Sequence, residues 1–439
     1  VRRMDAINLW IPKSIRRATG KTAMPVNIQR VLPGLHHGKT AVITGGSLGI
    51  GLQLGRYLAM AGARILLTAR SRPKLEQARE EIVAELRGVG WPDPEQRVSI
   101  LPDIDVGSEA CMEQLFEHAV RHFGEVDFLI NNAGIAGAEE MVVDMSLEDW
   151  ETTMEANLIS NYSLIHKFAP RMKRRGSGVV LNVSSYFGGE KYLAVAYPNR
   201  ADYSVSKAGQ RALAEILSRH LGPEIQINAM APGPVDGARL RGQENAPGLF
   251  ERRGRLILEN IRLTQVHGAV LQMLADHRDA DELLTVLARN RIDELSQQPD
   301  LPKAMRKLLV QASGGRASAN ASHHLLSARL APKLMHRLVA GGAIEQDAAD
   351  RWLEAFVAPD DPFFAPEDVH AQAEKIGADI LARLHLHRMP TDEQVGLSTV
   401  FSLADDIVSG ETFHPSGGLK FDRSVTEGEL MLRPGREDL

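Results

Sequence analysis

The stretch TAVITGGSLGIG, residues 40–51, decides the fold. Its first five residues form a short apolar run with β-branched side chains, which is typical of a buried parallel strand. A glycine-rich segment follows without a break and leads into a helical pattern that ends near Gly62. Strand, glycine turn and helix in this order predict a turn that binds dinucleotide phosphates at the helix N-terminus.

The glycines of this turn, Gly45, Gly49 and Gly51, have the spacing TGxxxGxG. We expect Gly45 to permit the tight turn, Gly49 to let the backbone approach a pyrophosphate, and Gly51 to let the helix pack on the strand. Ser47 and Ile50 complete the predicted phosphate-binding set. A glycine-rich turn without a ligand could have the same sequence, so the prediction depends on the rest of the chain.

The second predicted strand, ARILLT, ends in a basic turn. Ala69 stands where a fold that prefers NAD usually carries an acid, and three cations follow it: Arg70, Arg72 and Lys74. Because a guanidinium can hold a phosphate through two hydrogen bonds, the turn predicts NADPH with Arg70 as its main contact. A solvated basic turn is the alternative.

Other predicted strands end in residues that suit the same ligand. The expected cofactor contacts at these ends are Asp105, Val106, Asn132, Ala133, Gly134, Pro232 and Gly233. A carboxylate could meet the adenine amino group, and the small residues would let backbone lie along the nicotinamide ribose. Strands that alternate with helices at this spacing predict an α/β fold with a doubly wound parallel sheet of the Rossmann type.

A second stretch, residues 182–207, carries the predicted chemistry. Tyr203 and Lys207 are four residues apart in a helical pattern, so both side chains project from one face. A nearby ammonium favours the phenolate and makes a tyrosine a better general acid. Ser185 follows a buried strand, and Asn157 lies on the apolar face of a long helix expected over residues 146–175. That Asn must satisfy a kink or hold a water, since an unpaired buried amide is costly.

Together these motifs resemble a short-chain dehydrogenase/reductase of the classical type. The resemblance covers residues 38–235, and it implies that Tyr203 is the proton donor while Lys207 holds the ribose and lowers the pKa of Tyr203. It further implies that Ser185 steadies the substrate oxygen and that Asn157 holds the water of a proton relay. YxxxK alone would be a weak signal, because any amphipathic helix can carry this pair.

The chain departs from the plain family by a long helical insertion. We expect a linker or docking arm at 1–36, a reductase core at 37–240 and 389–425, an insertion at 241–388 that covers the substrate site, and a link to a following domain at 426–439. Apolar residues at helical spacing support the insertion. Its histidines lack metal-ligand spacing, so no metal site is expected.

Further segments, among them SSYFGGEK, AYPNRADY and SGETFHPSGGL, are similar to the first reductase domain of the bifunctional malonyl-CoA reductases. That resemblance implies reduction of malonyl-CoA to malonate semialdehyde with release of CoA, in 3-hydroxypropionate formation. It also implies a following reductase-like domain, and family analogy implies a homo-oligomer. Two alternatives stay open: a carbonyl or 3-oxoacyl reductase, and a non-catalytic dinucleotide-binding scaffold.

A thioester can be reduced through a cysteine nucleophile or by direct hydride transfer. The chain's single cysteine, Cys111, lies in a surface-type helix, so we expect direct transfer. The malonyl carboxylate calls for a fork-shaped cation. The candidates are Arg200 first, then Arg239, Arg241, Arg252 and Arg253; a structural salt bridge is the alternative for Arg200.

Composition sets the remaining expectations. The formal charge of −5 gives no general attraction to nucleic acid, and no apolar run approaches the length of a membrane-spanning helix. A single cysteine excludes an intramolecular disulfide and fits a reducing, cytoplasmic location.

Overall fold

The computed structural model describes residues 34–188, 198–243, 246–276, 279–297, 303–312, 324–356, 364, 366–383, 389–404 and 408–415. The chain divides into two compact units, with the boundaries at Leu240 and Leu381. The first unit contains a parallel sheet, and the second is helical. The predicted arm at 1–36, apart from its last three residues, and the predicted link at 426–439 lie outside the described residues.

The sheet of the first unit has seven strands in the order β3-β2-β1-β4-β5-β6-β9, all parallel to their neighbours. The strands are β1 (Thr40–Thr44), β2 (Arg64–Ala69), β3 (Val98–Pro102), β4 (Phe128–Asn131), β5 (Gly178–Val183), β6 (Ile225–Met230) and β9 (Thr412–Phe413). The chain runs outward from β1 to β3 and then returns to place β4 beside β1. In such sheets, ligands bind at the carboxyl ends of the strands where the order reverses.

The helices of the first unit are α1 (Gly49–Met60), α2 (Arg72–Gly88), α3 (Pro94–Arg97), α4 (Glu109–Phe123), α5 (Leu147–Met154), α6 (Ser160–Arg175), α7 (Ala201–Leu221), α16 (Asp392–Ser402) and α8 (Ala238–Arg241), whose last residue passes into the second unit. Successive residues of a strand point to opposite faces of the sheet. Ile43 of β1 therefore packs in one core cluster with Leu54 of α1, while Val42 packs in another with Phe168 of α6. This two-sided burial is the doubly wound architecture that the sequence predicts.

The long helix expected over residues 146–175 is interrupted. A π-helical segment, Glu155–Ile159, separates α5 from α6. Such segments occur often at functional sites because they shift the hydrogen-bond pattern by one residue. Asn157 lies inside this segment and is fully buried.

After the helical unit, the chain returns to the sheet. Thr391 caps α16 with a reciprocal capping box formed with Gln394, as its Thr-x-x-Gln spacing favours. The last strand then pairs with β6, with Thr412 opposite Ala229. The first unit is thus completed by residues more than 150 positions beyond β6 in the chain.

The helices of the second unit are α9 (Leu249–Ala275), α10 (Ala280–Ala288), α11 (Ile292–Ser296), α12 (Lys303–Ala312), α13 (Leu330–Ala340), α14 (Gln346–Ala355) and α15 (Pro366–Arg383), whose last three residues pass into the first unit. A short antiparallel pair, β7 (Gly242–Gln243) with β8 (Ala246–Pro247), precedes them. The helices of the second unit enclose a hydrophobic cluster that includes Val270, Leu287 and Leu334. Within the described residues, none of the helices combines the length and apolar character needed to cross a bilayer.

Candidate dinucleotide and catalytic site

The glycine turn after β1 is shaped by close backbone packing. Gly45 has a φ of 66°, in the left-handed region that glycine adopts without strain. A Cβ on Gly51 would lie 2.3 Å from the Gly45 carbonyl oxygen, so only glycine lets α1 start this close to the turn. Asn132 ties the turn to β4, because its Nδ2 donates to the carbonyls of Thr44 and Gly45 at 2.9 and 3.1 Å.

The first turn of α1 is partly exposed. Leu48, the N-cap residue, is half exposed and makes no side-chain capping bond. Gly49 also has a positive φ, and the nearest atom to a Cβ placed on it would be a carboxylate oxygen of Asp392, 3.7 Å away. Free backbone N–H groups and the helix dipole favour a phosphate at such a position. Ser47 and Ile50 are partly exposed beside it. These features fit the pyrophosphate of a dinucleotide.

The basic turn after β2 offers its cations unequally. Arg72 donates to Asp103 at 2.5 Å, so its charge is already paired with an acid at the protein surface. Arg70 is exposed, and in the described part of the chain its guanidinium has no recorded hydrogen bond or ion pair. Lys74 is also exposed. Arg70 is therefore the cation best placed to take a 2'-phosphate.

The residues expected to contact the cofactor at the ends of β3 and β6 make local hydrogen bonds. Asp105 is exposed, and its Oδ1 accepts from the amide of Gly107 at 3.0 Å, while Val106 is buried. The carbonyl of Pro232 accepts from the amide of Tyr186 at 3.2 Å. The next residue, Gly233, is partly exposed. These contacts hold the strand ends in place around the predicted cofactor positions.

Tyr203 and Lys207 lie one turn apart on α7, and both are almost completely buried. The Lys207 Nζ donates to the Val183 carbonyl at 2.8 Å and lies 5.8 Å from the centre of the Tyr203 ring. The arrangement gives a phenol and an ammonium side by side at the carboxyl end of β5, as the sequence predicts.

The two serines after β5 have different surroundings. Ser184 donates its hydroxyl to the Lys207 carbonyl at 2.7 Å, so it is used to hold α7 against the strand. Ser185 accepts from the Phe187 amide at 3.3 Å, a bond that leaves its own hydroxyl hydrogen available. The geometry therefore favours Ser185 over Ser184 as the group that contacts a substrate oxygen.

Asn157 connects the π-helical segment to the loop after β4. Its Oδ1 accepts from the Ile135 amide at 2.8 Å, and its Nδ2 donates to the Ile135 carbonyl and to the Ser206 hydroxyl. A Cβ on Gly134 would lie only 2.7 Å from the same Oδ1. Glycine is thus required there for the loop to approach Asn157.

Arg200 lies beside the phenol and is paired with an acid. Its guanidinium carbon is 4.2 Å from the centre of the Tyr203 ring, and its Nη1 donates to Glu139 at 2.8 Å. The residue is 2% exposed. Glu139 thus occupies the Nη1 donor that a substrate carboxylate could otherwise take.

The other predicted arginines lie away from α7 in the chain. The side chain of Arg239 is outside the described residues. Arg241 and Arg252 are exposed, and Arg253 is buried; all three belong to the second unit. Cys111 lies in the first turn of α4, where its amide donates to Ser108. Among the described residues, no group of three or more possible metal ligands is present.

Three polar residues around this site are not among those predicted from the sequence. Gln210 is fully buried and contacts both Lys207 and Asn157. Glu139 pairs with Arg200, and buried Asp202 accepts from the Ala138 amide and the Thr153 hydroxyl. For Gln210 a signal existed, since a polar residue three positions after Lys207 must share its buried helix face. Nothing local distinguishes Glu139 from a solvated loop residue.

With this geometry established, the comparisons with known proteins assign a family. The family model described as short chain dehydrogenase matches residues 39–247. The chain is 33% identical over 197 residues to 3-oxoacyl-(acyl-carrier-protein) reductase FabG of Staphylococcus epidermidis, covering 44% of this chain and 74% of that protein. It is 31% identical over 204 residues to glucose 1-dehydrogenase 2 of Bacillus subtilis, covering 45% and 72%. The chain therefore belongs to the short-chain dehydrogenase/reductase family.

One solved structure is similar over far more of the chain. It is the crystal structure of the C-domain of a bacterial malonyl-CoA reductase with NADP, at 47% sequence identity and a TM-score of 0.82. The match covers 90% of this chain and 61% of that one, so the present chain spans about three fifths of its neighbour. The helical unit is larger than the uncovered tenth of this chain, and the similarity therefore includes part of that unit.

Proposed function

We propose that this chain uses NADPH to reduce malonyl-CoA to malonate semialdehyde, with release of CoA, as a step in 3-hydroxypropionate formation. The observation that carries the proposal is the 47% identity over 90% of the chain with the malonyl-CoA reductase C-domain. The relatives that match only the core cover 44–45% of the chain and include a 3-oxoacyl reductase and a glucose dehydrogenase. Similarity that extends beyond this shared core favours the more specific reaction.

The residues that would hold the cofactor are those of the glycine turn, the basic turn and the strand ends. The N-terminus of α1 at Gly49 would face the pyrophosphate, and Arg70 would pair with the 2'-phosphate. When bound there, NADPH supplies the hydride for the thioester carbonyl carbon. The turn holds no acid that would compete for Arg70, because Asp103 is already paired with Arg72.

The protein's own contribution is positioned charge and a proton. The Tyr203 phenol would donate to the oxygen of the former carbonyl, and the Ser185 hydroxyl would donate a second hydrogen bond to it. Two cations lie near the Tyr203 ring, Arg200 from before it in the chain and Lys207 from after it. Both favour the phenolate that proton donation leaves behind. The C–S bond of this hemithioacetal then breaks as its hydroxyl proton returns to the Tyr203 phenolate, and CoA leaves as a thiolate that takes a proton from solvent. No acyl bond to Cys111 is formed.

A generic carbonyl or 3-oxoacyl reductase is the alternative that the same Ser, Tyr and Lys would support. The 33% identity with FabG supports this second candidate for the core alone. The third possibility, a scaffold without catalysis, would leave the buried Lys207 and Tyr203 without a purpose, since burying a charge is costly.

The deciding experiment measures NADPH oxidation and free thiol together. With malonyl-CoA, we expect the purified chain to release CoA thiol in an amount equal to the NADPH oxidised. Tyr203→Phe should lower kcat by about 10²–10⁴-fold, with circular dichroism unchanged, because only the acidic hydroxyl is removed. Oxidation of NADPH by 3-oxoacyl substrates, without thiol release from malonyl-CoA, would contradict the proposal in favour of the generic reductase. Inactivity with every substrate would favour the scaffold.

The same proposal includes partners. The following reductase-like domain is proposed from the neighbour's greater length, of which this chain spans 61%. A homo-oligomer through α6 and α7 is supported by large apolar side chains that these helices expose, Tyr162, Val205 and Ile216. Sedimentation of the chain against an Ile216→Lys variant would test this pairing.

A further inference from the structure

A buried carboxamide links two of the predicted catalytic residues. Gln210 lies on α7 three residues after Lys207 and is completely buried. Its Oε1 accepts from the Lys207 Nζ at 3.1 Å, and its Nε2 donates to the main-chain carbonyl of Asn157. One side chain thus bridges the ammonium on α7 and the π-helical segment before α6.

The position of Gln210 is fixed from the sheet as well. Its main-chain carbonyl accepts from Asn182 Nδ2 at 3.2 Å, and Asn182 Oδ1 in turn accepts from Asn131 Nδ2 at 3.0 Å. Both asparagines are fully buried on neighbouring strands, β5 and β4. Buried hydrogen bonds of this kind restrict the side chains that take part in them, although the Oδ1 of Asn131 has no partner among the described residues. Gln210 is therefore held at both its backbone and its side chain.

We propose that Gln210 is a positioning residue that holds the Lys207 ammonium at its place beside Tyr203, and that its carboxamide lies between Lys207 and Asn157, where the family resemblance implies a relay water. A carboxamide matches both neighbours, since its oxygen accepts from the ammonium and its nitrogen donates to the carbonyl. Unlike a water, it cannot reorient to pass a proton from one neighbour to the other. Gln210 itself therefore does not relay a proton between Asn157 and Lys207 and acts by geometry.

The competing explanation is that Gln210 only fills space. Two variants separate the explanations, because each explanation predicts a different one of them to lose more activity. Gln210→Met keeps nearly the same volume but offers neither hydrogen bond, so Lys207 and Asn157 each lose a partner. Gln210→Ala removes four heavy atoms and leaves room for a water, which needs polar neighbours of the kind that these two groups provide. If packing alone mattered, the larger cavity in Gln210→Ala would be the more harmful change.

With malonyl-CoA and NADPH, we expect Gln210→Met to lose about tenfold or more in kcat, with a much smaller change in KM, because a displaced Lys207 affects the reacting geometry. Gln210→Ala should keep the larger share of the wild-type kcat. A crystal structure of unliganded Gln210→Ala should contain a water within about 3 Å of both Lys207 Nζ and the Asn157 carbonyl oxygen. Equal activity of Gln210→Met and the wild type, or greater loss in Gln210→Ala with no such water, would overturn the proposal.

A matched control uses Gln53, a buried glutamine of α1 whose Oε1 accepts from Arg56 at 3.0 Å. Gln53→Ala should lower thermal stability more than Gln53→Met, as packing alone predicts. In kcat, Gln53→Met should not be the more harmful of the two. The kcat measurements rest on the proposed function, because malonyl-CoA is their substrate. The crystal structure of Gln210→Ala needs no substrate. If the chain is inactive on malonyl-CoA, the proposed function is refuted, and the water at Lys207 still decides the role of Gln210.

Discussion

Arg200 shows how one residue can satisfy two expectations at once. Its guanidinium lies over the Tyr203 ring, where a cation is attracted to the π face and favours the phenolate. It is also paired with Glu139, whose backbone has a φ of 59°, an uncommon conformation for a residue with a side chain. From the sequence, a structural salt bridge and recognition of the substrate carboxylate are alternative roles for Arg200. The geometry permits both if the substrate carboxylate exchanges with Glu139.

Variants of this pair test the exchange. Arg200→Ala should lower the preference for malonyl-CoA over acetyl-CoA in kcat/KM by about 10–100-fold, the value of a hydrogen-bonded charge contact. Glu139→Gln removes the competing carboxylate but keeps the cation, so it should lower KM for malonyl-CoA and leave acetyl-CoA unchanged. Steady-state kinetics with both thioesters provides the measurement.

Arg200→Ala breaks a buried ion pair and needs a check of its unfolding transition. If it remains folded and active with an unchanged preference, Arg200 does not bind the carboxylate. The exposed Arg241 and Arg252 would then be the next candidates.

At the scale of elements, the sheet unit depends on α16, which the chain adds after the helical unit. A Cβ on Gly396 would lie 2.7 Å from the Cβ of Gln53, so glycine allows α16 to approach α1 closely. His36 holds the same helix, because its Nε2 lies 2.9 Å from the Val400 carbonyl and its ring packs edge-to-face on Phe128. The last helix is therefore joined to the start of the described chain.

The contact of His36 predicts a pH dependence of stability. Burial lowers the pKa of His36 below its ordinary 6.5, and the nearby Lys39 lowers it further, against the raising effect of the Val400 hydrogen bond. The folded state disfavours the charged ring, so the contribution of neutral His36 to the free energy of unfolding is complete above pH 6.5. It is lost as the pH falls below that value. The loss is at most about 1.4 kcal/mol per pH unit.

Urea unfolding of the wild type and His36→Gln at several pH values measures the effect. Gln keeps a donor for Val400 but does not titrate, so the free energy of unfolding of the variant should fall less steeply on acidification. Parallel pH profiles for the two proteins would show that His36 is not the group responsible.

At the scale of the whole molecule, the two units have separate hydrophobic cores. The cluster around Leu334 contains only residues of the helical unit, and the clusters around Ile43 and Val42 contain only residues of the sheet unit. The helical unit also has internal polar contacts, such as the bond from Trp352 Nε1 to the Leu284 carbonyl. Each unit can therefore be weakened by a core substitution of its own.

Leu334→Ala should destabilise the helical unit by about 2–5 kcal/mol, since it leaves a cavity at a fully buried position. We expect NADPH affinity, measured by titration, to remain near the wild-type value, because the proposed cofactor contacts belong to the sheet unit. As a control, Leu67→Ala in the sheet should weaken NADPH binding. An equal loss of NADPH affinity in both variants would argue against separate roles.

The sequence alone determined the sheet, the glycine turn and the Tyr203 and Lys207 pair, because each is encoded by residues that lie close together in the chain. Strand periodicity, a glycine turn and an i, i+4 spacing are local patterns, and their order identified the family that the comparisons confirm. The tertiary structure decided what surrounds that pair. Gln210 meets Asn157 across 53 residues, and Arg200 meets Glu139 across 61. Such contacts depend on how whole helices and loops pack, a condition that no local pattern records.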